Sequence, residues 1–215
     1  MKIETCEFPD ALLYDVDAGT WVRKDDTDYT IGVTPVLAWL SGGFTSISIK
    51  DTGSVIGIGK GLGSIEGPRH FDLMRAPFDC TIKEVNSRLS DPSLASKDSF
   101  GAGWIALLRR TGETTRLSTL QEASGLLGAL IRRLGVRCFS RFPDLEMYEI
   151  QTECSAVIVK LNEIMSKSRS GTVVHLVSDD PTSDIEMVRW GDMSGNKVVE
   201  SRNEGALHHF IVEKS

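Results

Sequence analysis

The sequence has no apolar run near the roughly 20 residues a helix needs to cross a bilayer. Its opening, MKIETCEFPD, lacks the basic and then apolar stretch of an export signal. Membrane insertion and secretion are not expected, and the chain reads as cytoplasmic. Charge of one sign is also missing. The 24 basic and 30 acidic side chains among 215 residues leave a net charge of −6, spread so that residues 1–110 carry −3, 111–150 are neutral and 151–215 carry −3. Nucleic acid demands clustered Lys and Arg to neutralise phosphate, so that partner is excluded. Cysteine is sparse, at Cys6, Cys80, Cys138 and Cys154, with no Cys-x-x-Cys pair. Neither a disulfide nor a thiolate zinc site is expected in such a chain, and each cysteine reads first as a small buried apolar residue. The four histidines stand at no ligand spacing, and His208 and His209 alternate to opposite faces of one strand, so no metal site is expected. With 40% apolar and 25% charged residues, the chain is globular.

Residues 1–110 read as short strands: Tyr14–Val22, Tyr29–Val33, Phe44–Ile49, Val55–Ile58 and Cys80–Val85 are rich in β-branched and aromatic residues. Turn signals separate them, at Asp25-Asp26, Ser41-Gly42-Gly43, Asp51-Thr52-Gly53 and the Gly57–Gly67 stretch. Regular short strands predict a sandwich or barrel. Between them Thr34-Pro35 opens a helical turn or two, with Thr34 as N-cap. From Ser118 the period changes to three and four, through Ala123, Leu126, Leu127, Leu130, Ile131 and Leu134, behind a Ser118-x-x-Gln121 capping box and before Gly135. That is an amphipathic helix over 118–135.

Residues 138–146, with Cys138-Phe-Ser-Arg-Phe-Pro-Asp144, read as a linker between two domains, 1–137 and 147–215. The second domain alternates strand and helix. Tyr148–Gln151 is a strand, Cys154–Ser168 a helix, Thr172–Ser178 a strand, Ser183 or Asp184 to Met193 a helix, and Lys197–Glu200 and Ala206–Val212 two closing strands. The βαβαββ order predicts a two-layer α+β domain with both helices on one face.

The glycines Gly57-x-Gly59-x-Gly61-x-Gly63 suggest a phosphate loop, but Ser64 stands where the dinucleotide pattern requires Gly and no GK[ST] exists. They read as turn and close-packing residues. A Gly-x-Ser-x-Gly nucleophile is absent as well.

A group of blocks in the first domain resembles a known family. Trp21-Val-Arg, Ile31-Gly-Val-Thr34, Glu66, Ala76-Pro77, Lys83-Glu-Val-Asn86, Leu89, Asp91-Pro92-x-Leu94 and Phe100-Gly-Ala-Gly-Trp104 are similar, in type and spacing, to the glycine cleavage system H protein over residues 5 to about 135. The resemblance implies an all-β barrel-sandwich hybrid of the lipoyl-domain type. The start Cys6-Glu-Phe-Pro-x-x-Leu-x-Tyr14 is closer to the H-like lipoate-binding proteins of sulfur metabolism. In the family a lipoyl lysine follows Glu-Ser-x and stands eight residues before an Ala/Ser-Pro step. Here the segment is Glu66-Gly67-Pro68-Arg69, and Arg69 holds that position. Acylation needs a neutral amine, whereas a guanidinium stays protonated to a pH above about 12. The expectation is an unmodified Arg69 and no cofactor. Lys60 and Lys83, read as lying on neighbouring strands, offer no substitute.

The second domain resembles the TusA-like small sulfur carriers, which share its element order. Cys154 precedes Gly171 by 17 residues, and Asp179-Asp180-Pro181, Trp190 and Gly195 follow at family positions. The family's Cys-Pro-x-Pro motif reads Cys154-Ser155-Ala156-Val157 here, and Asn196 replaces its His. A thiol at a helix N-terminus is favoured as thiolate, with Glu153 opposing. Cys154 is therefore the candidate persulfide carrier. The combined expectation is a sulfur carrier or adaptor, without independent catalysis, that docks on proteins of sulfur-transfer or lipoate-dependent complexes. Two alternatives are a silent protein–protein scaffold and a component of the glycine cleavage or lipoate-dependent system.

Overall fold

The computed structural model describes residues 1–215, which divide into two compact units, Met1–Cys138 and Phe139–Ser215. The first opens with a small hairpin, β1 (Lys2–Ile3) and β2 (Cys6–Glu7), followed by β3 (Leu13–Asp15), β4 (Thr20–Asp25) and β5 (Asp28–Val33). Helix α1 (Pro35–Ser41) interrupts the strands. Then come β6 (Ser46–Ile49), β7 (Val55–Ile56), β8 (Gly61–Glu66), β9 (Phe71–Arg75) and β10 (Phe78–Val85). A 3-10 turn (Ser87–Ser90) and a short α2 (Leu94–Lys97) lead to the long β11 (Ala106–Thr115), β12 (Ser118–Thr119) and helix α3 (Leu120–Leu134).

Seven strands form one sheet in the order β12-β3-β4-β5-β11-β10-β7, and β6-β8-β9 form a second. Trp21, Tyr14, Phe78, Ile31, Leu62, Ile65 and Met74 are fully buried, drawn from both sheets. Trp21 lies opposite Gly32 on the next strand and donates its indole N–H to the Ser99 carbonyl at 2.9 Å. A Cβ at Gly32 would lie 2.4 Å from the indole ring, so only glycine admits it.

Three expectations are corrected here. Tyr14–Val22 is two strands, because the chain reverses over residues 16–19 with Gly19 at φ 62°. Of the glycine series, Gly57 and Gly59 are outside strands, but Gly61 and Gly63 belong to β8, where a Cβ at Gly63 would meet the Ser48 carbonyl at 2.0 Å. Glycine there permits close strand approach rather than a turn. The capping box of α3 sits one residue later than Ser118-x-x-Gln121. Thr119 Oγ1 accepts from Glu122 N, and Glu122 Oε2 accepts from Thr119 N at 2.9 Å.

The second unit contains β13 (Leu145–Glu149), α4 (Cys154–Lys167), β14 (Val173–Ser178), α5 (Ser183–Ser194), β15 (Lys197–Glu204) and β16 (Leu207–Glu213). Its sheet runs β13-β14-β16-β15, with β13 and β14 parallel and the other pairs antiparallel. Val157, Leu161 and Met165 of α4 and Met187 and Trp190 of α5 bury against Met147, Val174, Leu176, Phe210 and Val212. Those strand residues alternate, so both helices cover the same face. Residues 138–146 are not a free connector. Cys138 is covalently fixed within the first unit, Phe139 is buried on the second unit's sheet, and β13 starts at Leu145.

Candidate functional site

Arg69 lies in the four-residue turn Gly67–His70 that joins β8 to β9, and the residue is exposed. The turn does not project freely. Arg69 N donates to the Ser41 carbonyl at 3.2 Å, and its Nη2 donates to the Trp39 carbonyl at 3.0 Å. Both acceptors belong to the last turn of α1, where negative potential gathers and carbonyl lone pairs remain open; the Trp39 carbonyl also accepts from the capping Gly42 N at 3.3 Å. Glycine makes the approach possible. Gly42 is the left-handed cap of α1 at φ 71°, with its Cβ site 2.8 Å from Arg69 Nε, and a Cβ on Gly67 would lie 2.1 Å from the Gly43 carbonyl. The sequence signal Ser41-Gly42-Gly43 marks a helix end shaped to receive the hairpin. Lys60 lies in a bend before β8 rather than on a strand, and Lys83 lies in β10, so neither is in this turn.

Cys154 is the first residue of α4, at the end of the sheet where the parallel strands β13 and β14 finish and the N-terminus of α5 also points. The expected thiolate is not favoured there. Cys154 is 6% exposed, and burial raises its thiol above the ordinary range, aided by the charges of Asp180 and Glu186; a bond from Ser183 pulls weakly the other way. The amide that would stabilise a thiolate is already engaged, because Cys154 N donates to Asp180 Oδ2 at 2.9 Å. Asp180 also accepts from Thr182 N and Oγ1 at 2.8 and 2.7 Å, and these bonds hold its carboxyl below the usual carboxylate range. The opposing charge is thus Asp180, not the neighbouring Glu153, which makes no capping bond.

The profile of the glycine cleavage H-protein family matches residues 12–128, more than half of the chain. The chain belongs to that family. A glycine cleavage system H protein of Aquifex aeolicus (number 5 in that organism) is 30% identical over 145 residues, which is 64% of this chain and 98% of that one. Another from the same organism (number 2) is 31% identical over 138 residues, covering 62% of this chain and 86% of its own length. In fold, the first unit resembles the crystal structure of a glycine cleavage system H protein from Mycobacterium marinum, with a TM-score of 0.53 and 24% identity over 56% of this chain and 99% of that one. The family match falls inside Met1–Cys138 and contains Arg69.

Two features escaped sequence reasoning. The H-protein unit carries a disulfide between Cys6 and Cys138, where none was expected. The β1–β2 hairpin and the exit of α3 bring residues 132 apart in sequence together, a proximity that no spacing rule reveals. Around it, Thr5 Oγ1 accepts from Cys138 N at 3.0 Å and donates to the Val136 carbonyl at 3.4 Å, and Glu4 pairs with Arg132. In the second unit, His175 Nε2 and His209 Nδ1 lie 3.1 Å apart, both rings buried, on the sheet face opposite the helices. The two imidazoles are stacked, the Phe139 ring lies tilted against both, at 4.8 and 5.7 Å between centroids, and the Arg202 guanidinium lies 4.3 Å from the Phe139 ring centroid. Strand alternation hints at the shared face, but their pairing needs the β14–β16 register. His208 turns the other way, 3.1 Å from Asp184.

Proposed function

We propose that this chain is an unmodified H-protein-like adaptor: a carrier fold whose attachment position holds arginine and whose role is to dock on partner proteins. The observation that carries this reading is the place of Arg69. A prosthetic arm needs an amine nucleophile on a free hairpin tip. This turn offers a delocalised cation, bonded at 3.0 Å to the end of α1. The residues present therefore do not fit an amide-linked lipoyl group, and no step is routed through one. What remains is a rigid two-sheet surface of the shape that H proteins present. The partners that this shape suits are proteins of lipoate-dependent or sulfur-transfer assemblies.

Incubation with a lipoate ligase, ATP and lipoate tests it. The native chain should keep its mass, while Arg69→Lys supplies an amine at the turn and gains one lipoyl group. A lipoyl adduct on the native chain, at any lysine, overturns the reading.

A second reading, persulfide carriage on Cys154, draws on the position of that thiol at the start of α4, where the parallel strands end. Its burial and the Asp180 carboxylate argue for a resting thiol that must be uncovered before it exchanges. Sulfur retained on the native protein after treatment with a sulfane donor, and lost in Cys154→Ser, would favour the carrier over the adaptor.

A further inference from the structure

Cross-strand register fixes which side chains share the outer face of the β6-β8-β9 sheet. Ser46, Glu66 and Phe71 form one row, and Ser48, Ser64 and Leu73 the next. In the third row Arg75 pairs with Gly61, and Lys50 follows Ser48 by two residues on the neighbouring strand's flank. Leu62, Ile65 and Met74 turn the other way, into the core. On the outer face Phe71 is 60% exposed and Leu73 43% exposed in the whole chain, at successive outward positions of the edge strand β9. Beside Leu73 lies a recess of about 360 Å³ bounded by Lys50, Gly61, Gly63 and Ser64. A Cβ at Gly61 would meet nothing within 4 Å, so the third row is open above its backbone. The charges are sorted by row. Glu66 is the only charge in the first, the second has none, and Lys50 and Arg75 flank Gly61 in the third. All three are exposed and take no part in an ion pair within the chain.

We propose that this face is a homodimer interface in which the small sheets of two copies stack with their strands antiparallel. The pattern of the face is complementary to itself. A two-fold axis lying across the strands at the second row sets β9 over β9 and the first row over the third. Leu73 then meets Leu73 of the second copy. Phe71 lies against the facing Arg75 guanidinium as a cation–π contact, and Glu66 descends over the facing Gly61, between Lys50 and Arg75. Each of these contacts with a base occurs twice. With the strands parallel instead, Glu66 would face Glu66 and the bases would face one another. A partner of unrelated sequence would need the same order of acid and base along three strands, whereas a second copy has it by symmetry. The dimer does not depend on the state of Arg69.

Sedimentation of the full chain tests the proposal. Three short strands make a face smaller than the roughly 800 Å² per partner of a standard interface, so a weak dimer is expected, and about 5 to 500 µM protein spans its dissociation. Leu73→Lys sets two like charges together on the axis and should leave a folded monomer throughout. Glu66→Lys makes both ends of the face basic, and Lys50→Glu with Arg75→Glu makes both ends acidic. Each should weaken self-association on the order of tenfold or more. Mixed one to one, these two charge variants should associate more tightly than either does alone, because both ends of the mixed dimer are then complementary. Native-like circular dichroism of each variant guards against misfolding, and all the substituted positions are exposed. A monomeric wild type over the whole range, a dimer indifferent to Leu73→Lys, or no gain on mixing overturns the proposal.

Discussion

Reduction of the Cys6–Cys138 bond is expected to destabilise the H-protein unit by several kcal/mol while leaving its native contacts in place. The bond joins residues 132 apart, so it closes nearly all of Met1–Cys138 into one loop. For a loop of that size the chain-entropy relation gives about 17 cal/mol/K, or about 5 kcal/mol at 25 °C, as a ceiling. Residual structure in the unfolded chain lowers it, and about 2–4 kcal/mol is the working expectation. The native side changes little. Thr5 still bonds Val136 and Cys138, and Glu4 still pairs with Arg132, so both ends stay together without the covalent link. Urea unfolding followed by tryptophan fluorescence reads the effect, since Trp21, Trp39 and Trp104 lie in the first unit. At a slope of about 1.5 kcal/mol/M, its midpoint should fall by about 1.3–2.7 M when reductant is added. Cys6→Ala in reductant separates lost packing from the lost link. An unchanged midpoint in protein whose mass after alkylation shows both thiols freed would refute the entropic account.

The remaining predictions concern the two candidate positions. Gly67→Ala puts a methyl 2.1 Å from the Gly43 carbonyl, so the hairpin turn must leave α1; a loss of about 2 kcal/mol or more and a lower thermal midpoint are expected. Cys154 should alkylate with a pH midpoint above the roughly 8.5 of a free thiol, because burial and Asp180 favour the protonated form and shrink the thiolate fraction at neutral pH. It should still outpace Cys80, whose thiol burial and Asp79 push up to about 11. Asp180→Asn keeps an oxygen to accept from Cys154 N but removes the charge, so labelling at neutral pH should quicken; an unchanged rate would show that burial alone governs the thiol.

Helices and the second unit's element order were legible because their signals are local. The three- and four-residue period of α3, Gly135 at its end and Thr34-Pro35 at the start of α1 each act within a turn or two. Even there, the period counted Leu126, Leu130 and Leu134 with the core, because periodicity marks apolar faces without saying which one the fold covers. What stayed hidden depends on distant partners. Strand β8 was obscured by its own glycines, whose use is to let Ser48 approach from the neighbouring strand. The disulfide required the first and last segments of the unit to meet, and composition argued against it. Arg69 was found by register, but its acceptors Trp39 and Ser41 appear only when the hairpin closes on α1.

The two positions singled out for chemistry share one physical arrangement. At each, an ionised side chain fills a helix end. Arg69 donates to the carbonyls that finish α1, and Asp180 accepts from the amide that starts α4. A helix N-terminus activates a thiol only while its amides and positive potential are free to stabilise the thiolate. Once Asp180 holds that amide, the same potential stabilises the carboxylate instead, and Asp180 titrates low as Cys154 titrates high. Capping and activation are therefore competing uses of one interaction. At α1 the competition is steric: a guanidinium seated on Trp39 cannot also be a free arm at the hairpin tip. In both places the charged side chain closes the fold with the interaction that a free arm or a thiolate would otherwise use, Arg69 at the end of α1 and Asp180 at the start of α4.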